Sequence, residues 1–302
     1  MRIRMAAFAL VAGALTICSS SRTASACASC SCGDPTLTAN GIEQPYTNRV
    51  RLAAEERFQS HTQGDGVMNH EAMLLRSALV GIWSPHSRVT LGVLLPWMTG
   101  WLREPGRPLE TINGLGDLEA SARVVLYRDR RFAAHHVFSG MAGLKFPTAP
   151  RIADASGYYY SDDDQPGSGS WDPFFGLSYA WFSGGLTSVA ANAGYRRTTP
   201  GPRGYQRGST LGWGAAVQLQ PFTWGAISLG VDGSWREVDR LENGHASPNT
   251  GGTVVGFAPA LLFAPHPSLL IRAAVSVPVI HALVGTQDEG PQVMLSLAYD
   301  VR

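Results

Sequence analysis

The chain has 302 residues, of which 16% are charged and 44% hydrophobic, and it carries 34 glycines and a formal net charge of +1. That length suits one large domain or two small ones. Near-neutral charge without a Lys/Arg cluster excludes a general nucleic-acid binder, which displays a basic face, so no nucleic-acid partner is expected.

Residues 1–26 have the form of an export signal: Arg2 and Arg4 open it, Met5 to Ile17 form an apolar run, and Ala24-Ser25-Ala26 offers a small-residue cleavage site. The segment 27–46 that follows is expected in the periplasm and holds Cys27, Cys30 and Cys32. A C-x-x-C spacing lets two thiolates reach one ion and the adjoining C-x-C supplies a third, so these are candidate ligands for Cu(I) or Zn. A local disulfide with one residual thiol is the competing reading, and acylation of Cys27 a third. Ser31 after Cys30 excludes a C-x-x-C-H haem attachment site. No other cofactor is expected.

Beyond the signal no window of about 18 residues is apolar enough for a membrane helix. Instead, twelve strand-like segments follow, near residues 48–59, 71–83, 88–101, 116–127, 132–146, 169–182, 186–197, 208–220, 224–236, 252–264, 268–281 and 291–301. The fourth shows the pattern best. Asp117, Glu119, Ser121 and Arg123 fall on one face, and Leu118, Ala120, Ala122, Val124 and Leu126 on the other. That is an alternation of period two, over about the length a tilted strand needs to cross a bilayer.

The connections alternate as well. Those around 85–87, 128–131, 183–185, 221–223 and 265–267 are short, whereas those around 60–70, 102–115, 147–168, 198–207, 237–251 and 282–290 are longer and rich in Gly, Pro, Asp and Asn. A transmembrane barrel has tight periplasmic turns and longer extracellular loops. The expected fold is therefore all-β, a transmembrane antiparallel β-barrel of about twelve strands over 47–302, in the bacterial outer membrane and in contact with its lipid. Trp83, Trp97, Trp101, Tyr127, Trp171, Tyr179, Trp181, Trp224 and Trp235 lie mostly near strand ends, where ring side chains sit at membrane interfaces.

Parity assigns Glu55, Arg57, Arg76, Glu119, Arg123, Lys145, Asp172, Asn192, Arg196, Gln218, Asp232, Arg236 and Arg272 to the face opposite the lipid, as candidate lumen-lining residues. An Arg or Lys facing lipid at mid-depth costs about 2–4 kcal/mol, which enforces that one-sidedness. Asp162-Asp163-Asp164, in the longest loop, reads as a solvated acidic run.

Three pieces, Asn113-Gly-Leu-Gly-Asp-Leu118, Gly143-Leu-Lys-Phe-Pro-Thr148 and Gln165-Pro-Gly-Ser-Gly-Ser-Trp-Asp-Pro-Phe-Phe-Gly-Leu-Ser-Tyr179, together resemble the outer-membrane family named for the MetA pathway of phenol degradation. That family is treated as related to fatty-acid and aromatic hydrocarbon channels. The resemblance implies an outer-membrane barrel that passes hydrophobic or aromatic compounds. Read physically, Gly114, Gly116, Gly167 and Gly169 are turn-forming punctuation before long strands, open to positive φ.

The chain has no G-x-S-x-G elbow, H-E-x-x-H or Gly-rich phosphate loop opening a helix, and no catalytic residue is nominated. The expected activity is passive diffusion of small hydrophobic or aromatic solutes. The alternatives are a barrel whose cysteine segment binds a soft metal or a periplasmic redox or metal partner, and an outer-membrane hydrolase.

Overall fold

The computed structural model describes residues 48–64, 70–131, 133–154, 156–162 and 164–301; the signal and cysteine segments, with Cys27, Cys30 and Cys32, lie outside the described residues. Thirteen strands follow one another: β1 (Arg49–Gln63), β2 (His70–His86), β3 (Val89–Arg103), β4 (Glu110–Leu115), β5 (Glu119–Arg128), β6 (His136–Lys145), β7 (Asp172–Phe182), β8 (Thr187–Arg196), β9 (Thr210–Phe222), β10 (Gly225–Arg236), β11 (Gly252–His266), β12 (Leu269–Leu283) and β13 (Gln287–Val301). Each pairs antiparallel with its sequence neighbours except at β4 and β5, which share β3, and β1 pairs with β13 to close the sheet. β4 and β5 are the two halves of one stave, and the result is a closed barrel of twelve. Closure pairs neighbouring staves all the way round, the condition for spanning lipid with strands, and among the described strands β4 alone pairs on one side only.

Alternation along the strands sorts the side chains. Leu52, Leu79, Leu177, Leu229, Leu261 and Leu295 point outward and are exposed, as are most large apolar residues of the barrel. An apolar surface of that extent is stable only against lipid. Rings mark its borders. At the short-turn end Phe222 stacks on Trp224 at 4.8 Å and Trp224 meets Phe263 edge-on at 5.9 Å. Nearer the other end Phe146 and Trp171 pair at 5.3 Å and Phe175 and Tyr195 at 5.6 Å.

The fourth stave departs from the sequence expectation. Leu115 lies opposite Trp97 and Glu119 opposite Leu94, so four residue steps on this stave face three on β3. The extra residue is a β-bulge, which reverses side-chain parity. Above it Ile112 and Gly114 face inward, and below it Glu119 and Arg123 do, with Val124 and Leu126 exposed to lipid.

Three connections also differ. The stretch expected as a loop over 102–115 contains β4. The expected long loop over 282–290 is a tight turn between Leu283 and Gln287, because β12 and β13 rise well above their neighbours. The turn after β5 is longer than read, since β6 starts only at His136.

Glu56 is a second departure, from the one-sided placement of charge. It alternates with Glu55 and so faces outward, where it accepts a hydrogen bond of 2.6 Å from Ser77 Oγ.

Candidate functional site in the lumen

The inner wall has three tiers. Near the short turns, Ala53, Val80, Ile82, Val125, Val137, Leu262 and Leu270 form a buried apolar collar. Below it, Arg49 and Arg51 both grip Asp300, at 2.8 Å. Above the collar lie the charges.

The middle tier brings five of the sequence candidates into one network. Arg196 holds Glu119 with two guanidinium nitrogens, at 2.9 and 2.7 Å, while Arg76 approaches the same carboxylate at 3.6 Å. Arg57 pairs with Glu55 at 2.8 Å, and the ladder sets Arg57 directly opposite Arg76. Arg196 also lies over the Phe174 ring at 4.9 Å. Phe174 in turn occupies the space left by Gly143, where an added Cβ would stand 2.2 Å from the ring.

Beside this network is a cavity of about 370 Å³ lined by Glu55, Arg57, Asn192, Asp232 and Arg272, all sequence candidates. Much of its remaining lining is small, with Gly194, Gly212, Gly230, Ala258 and Ala274, although Trp213, Val231, Val275 and Gln292 line it as well. Met294 and Ser276 also line it, and parity alone had not singled them out. The sulfur of Met294 accepts from both Arg57 and Arg272 at 3.8 Å.

Lys145 and Asp172 lie elsewhere, beside the bulge. The ammonium of Lys145 is 3.5 Å from Asp117 and contacts Asp172 and Ser168 more closely still; both carboxylates are buried. Asp117 is the bulge residue turned inward. It accepts hydrogen bonds from the backbone N–H groups of Ala149 at 3.1 Å and of Ser168 at 2.8 Å. Of the nearby glycines only Gly169 has positive φ, at 64°. Gly167 is instead a close approach: an added Cβ would sit 2.6 Å from Asp117 Oδ1. The reading of Gly114, Gly116 and Gly167 as positive-φ turn formers is thus corrected to close packing.

These contacts anchor the connection between β6 and β7, which folds onto the inner face of β2, β3 and β4. Ile152 and Tyr160 pack on Ala72, Leu102 and Ile112. Gln165 braces the loop by accepting from Ile152 N–H at 2.8 Å and donating to the Ile152 and Tyr160 carbonyls at 3.0 Å. Burial, seconded by the charge of Glu110, raises the Tyr160 phenol above its ordinary range. The acidic run is not simply solvated: Asp162 pairs with Arg151 at 2.9 Å and Asp164 with His70 at 3.2 Å, while Asp163 lies outside the described residues.

The other candidates are dispersed. Arg123 and Gln218 are buried in the wall, and Arg236 is exposed at the top of β10. Among the described residues no group of three or more His, Cys, Asp or Glu is placed to hold a metal ion.

No protein-family model and no curated protein matches the chain. Solved structures do. The COG4313 outer membrane channel from Pseudomonas putida F1 superposes with a TM-score of 0.66 at 13% identity, over 85% of this chain and 97% of that one. The β domain of the Bordetella autotransporter BrkA gives 0.50 at 11% identity, over 84% and 100%. The P. putida toluene transporter TodX gives 0.42 at 9% identity, over 85% and 90%. By its likeness to the COG4313 channel, the chain has the fold of a bacterial outer-membrane β-barrel.

Proposed function

We propose that the protein is an outer-membrane channel that lets small hydrophobic or aromatic solutes diffuse passively across the bilayer. The observation that carries this reading is the make-up of the lumen. A bore for hydrophilic solutes is lined by water-facing polar groups throughout, whereas here a cavity in which charged residues alternate with Gly and Ala stands beside a buried apolar collar. A solute with an apolar body finds matching surface on the Gly/Ala part of that cavity. The loop packed inside β2–β4 narrows the approach from the long-loop side and filters by size. The likeness of fold to a solved outer-membrane channel supports the reading. Kinship with the phenol-degradation family belongs to the same proposal, which assigns no catalytic residue. Outer-membrane lipid and the solute are the partners.

The test has two arms on folded, heat-modifiable protein. Planar bilayers should show discrete conductance steps, and cells carrying the barrel in their outer membrane should take up labelled toluene faster than cells without it. Absence of both with an intact barrel overturns the proposal.

A further inference from the structure

Two guanidinium groups directly opposite one another on adjacent strands repel, and like charges in that position ordinarily destabilise a sheet. Arg57 and Arg76 are such a pair on the lumen face. Their carboxylate partners do not shield them from the lumen. Glu55 and Glu119 are sunk in the wall, with side chains 9% and 12% exposed, whereas Arg57, Arg76 and Arg196 are 38%, 44% and 33% exposed. Three guanidinium groups thus stand in front of two carboxylates, and the surface offered to a solute is positive.

Arg272, itself buried at 8% exposure and not without a partner, adds a further guanidinium to the cavity wall. Arg57 and Arg272 each reach Met294 Sδ at 3.8 Å, so their donor nitrogens lie within twice that distance of each other and one small head group spans them. Arg57 Nε is buried and has no hydrogen-bond partner among the described residues, and Asn192 Oδ1 on the same cavity has none either. The carboxylate of Asp232 is engaged by Ser276 at 2.9 and 3.1 Å.

We infer that this cavity is a binding site for a compact amphipathic anion, an aromatic or short aliphatic carboxylate. Its head group is held by Arg57 and Arg272, and its apolar body lies along Gly194, Gly212, Gly230, Ala258 and Ala274. The inference rests on the channel reading and narrows it. Fork-shaped guanidinium donors suit a carboxylate, and each such charged hydrogen bond is worth enough to change affinity about tenfold or more. The small residues give the ring or chain an apolar surface beside the polar side chains of Ser276 and Gln292, and the cavity lies at the lower end of ligand-site sizes.

The test is equilibrium dialysis of the detergent-solubilised barrel with labelled benzoate and with benzyl alcohol, its neutral counterpart. Benzoate should bind about tenfold or more tightly than benzyl alcohol. The double variant Glu55→Gln with Arg57→Gln preserves the net charge of the wall, and Arg272→Gln provides a second, separate probe. Both should lose the benzoate preference while benzyl alcohol binding stays within about twofold. Equal binding of the two ligands, or an unchanged benzoate preference in both variants, overturns the inference and leaves the channel reading to its own conductance and uptake test. Binding of neither ligand also overturns the inference.

Discussion

Asp232 on β10 and Ser276 on β12 are hydrogen-bonded to each other across the whole width of β11, at 2.9 and 3.1 Å. The bond passes over Gly256, where an added Cβ would stand 2.4 Å from Ser276 Oγ and 3.1 Å from Asp232 Oδ1. A missing side chain on the middle strand is what lets the outer two meet. Gly256→Val should therefore break this link and leave a carboxylate without its donor, at a cost of about 1–3 kcal/mol. Ser276→Ala, which removes the donor without adding bulk, should cost less. Urea unfolding of the two variants in micelles, followed by the loss of heat-modifiable mobility, measures the difference.

Lys145 beside the bulge is a more demanding position. One ammonium serves two buried carboxylates, Asp117 and Asp172. Lys145→Met leaves two uncompensated charges side by side, and breaking a buried pair in this way costs about 3–5 kcal/mol. Adding Asp172→Asn to Lys145→Met should restore part of that loss, since one repelling charge is gone. A double variant no more stable than Lys145→Met alone would show that Asp172 is held by other contacts. Its bonds from Ser170 Oγ at 2.9 Å and Thr199 N–H at 3.0 Å are the ones to examine next.

The period-two pattern made the barrel readable, because a bilayer penalises each misplaced charge and so writes its constraint into every strand. Sites assembled between strands leave no such trace. Asp117 was legible as polar and inward, but not as a bulge, since parity read from Glu119 upward gives the same face for Asp117 whether or not a residue is inserted. Gly256 and Met294 carry no chemical signal; one matters for the side chain it lacks and the other for where two arginines converge. Gln165 sits in a loop whose Gly, Ser and Asp content reads as solvated, yet it is buried and satisfied at both ends of its amide. Only the folding of that loop into the barrel, a long-range contact, gives it a role.

The outer face yields a prediction of opposite sign at two positions. Ala122 lies on the lipid side of β5, between the inward-facing Ser121 and Arg123. Ala122→Arg places a charge in the bilayer and should lower folded stability by about 2–4 kcal/mol, more than Glu119→Gln does inside the lumen. Glu56 already carries such a charge, softened only by the 2.6 Å bond from Ser77. Glu56→Leu together with Ser77→Ala should make the barrel more stable in lipid. Refolding yield into vesicles at graded urea reads both effects, and a loss of stability in the double variant would assign Glu56 a partner on the outer surface.

The turn between β5 and β6 supplies a pH-dependent test outside the membrane. Asp129 Oδ1 accepts the backbone N–H groups of His136 and His135, each at 2.9 Å. The bond from His136 is the largest cause of a carboxyl held below the ordinary aspartate value of 3.8, with the bond from His135 acting in the same direction. A folded-state pKa lowered in this way means that the ionised form is favoured by folding. Its contribution is complete above the unfolded-state value and is lost as pH falls through the lower folded-state value. Asp129→Ala should therefore reduce stability at neutral pH, and the gap between variant and parent should close in acid, below pH of about 4. Asp129→Asn keeps an acceptor oxygen without the charge, so its deficit at neutral pH should be smaller, and it too should close in acid as the parent loses the ionised carboxylate. Unfolding midpoints at a series of pH values measure all three proteins. A gap between Asp129→Ala and the parent that stays constant into strong acid would show that the turn is held by packing and not by the charge on Asp129.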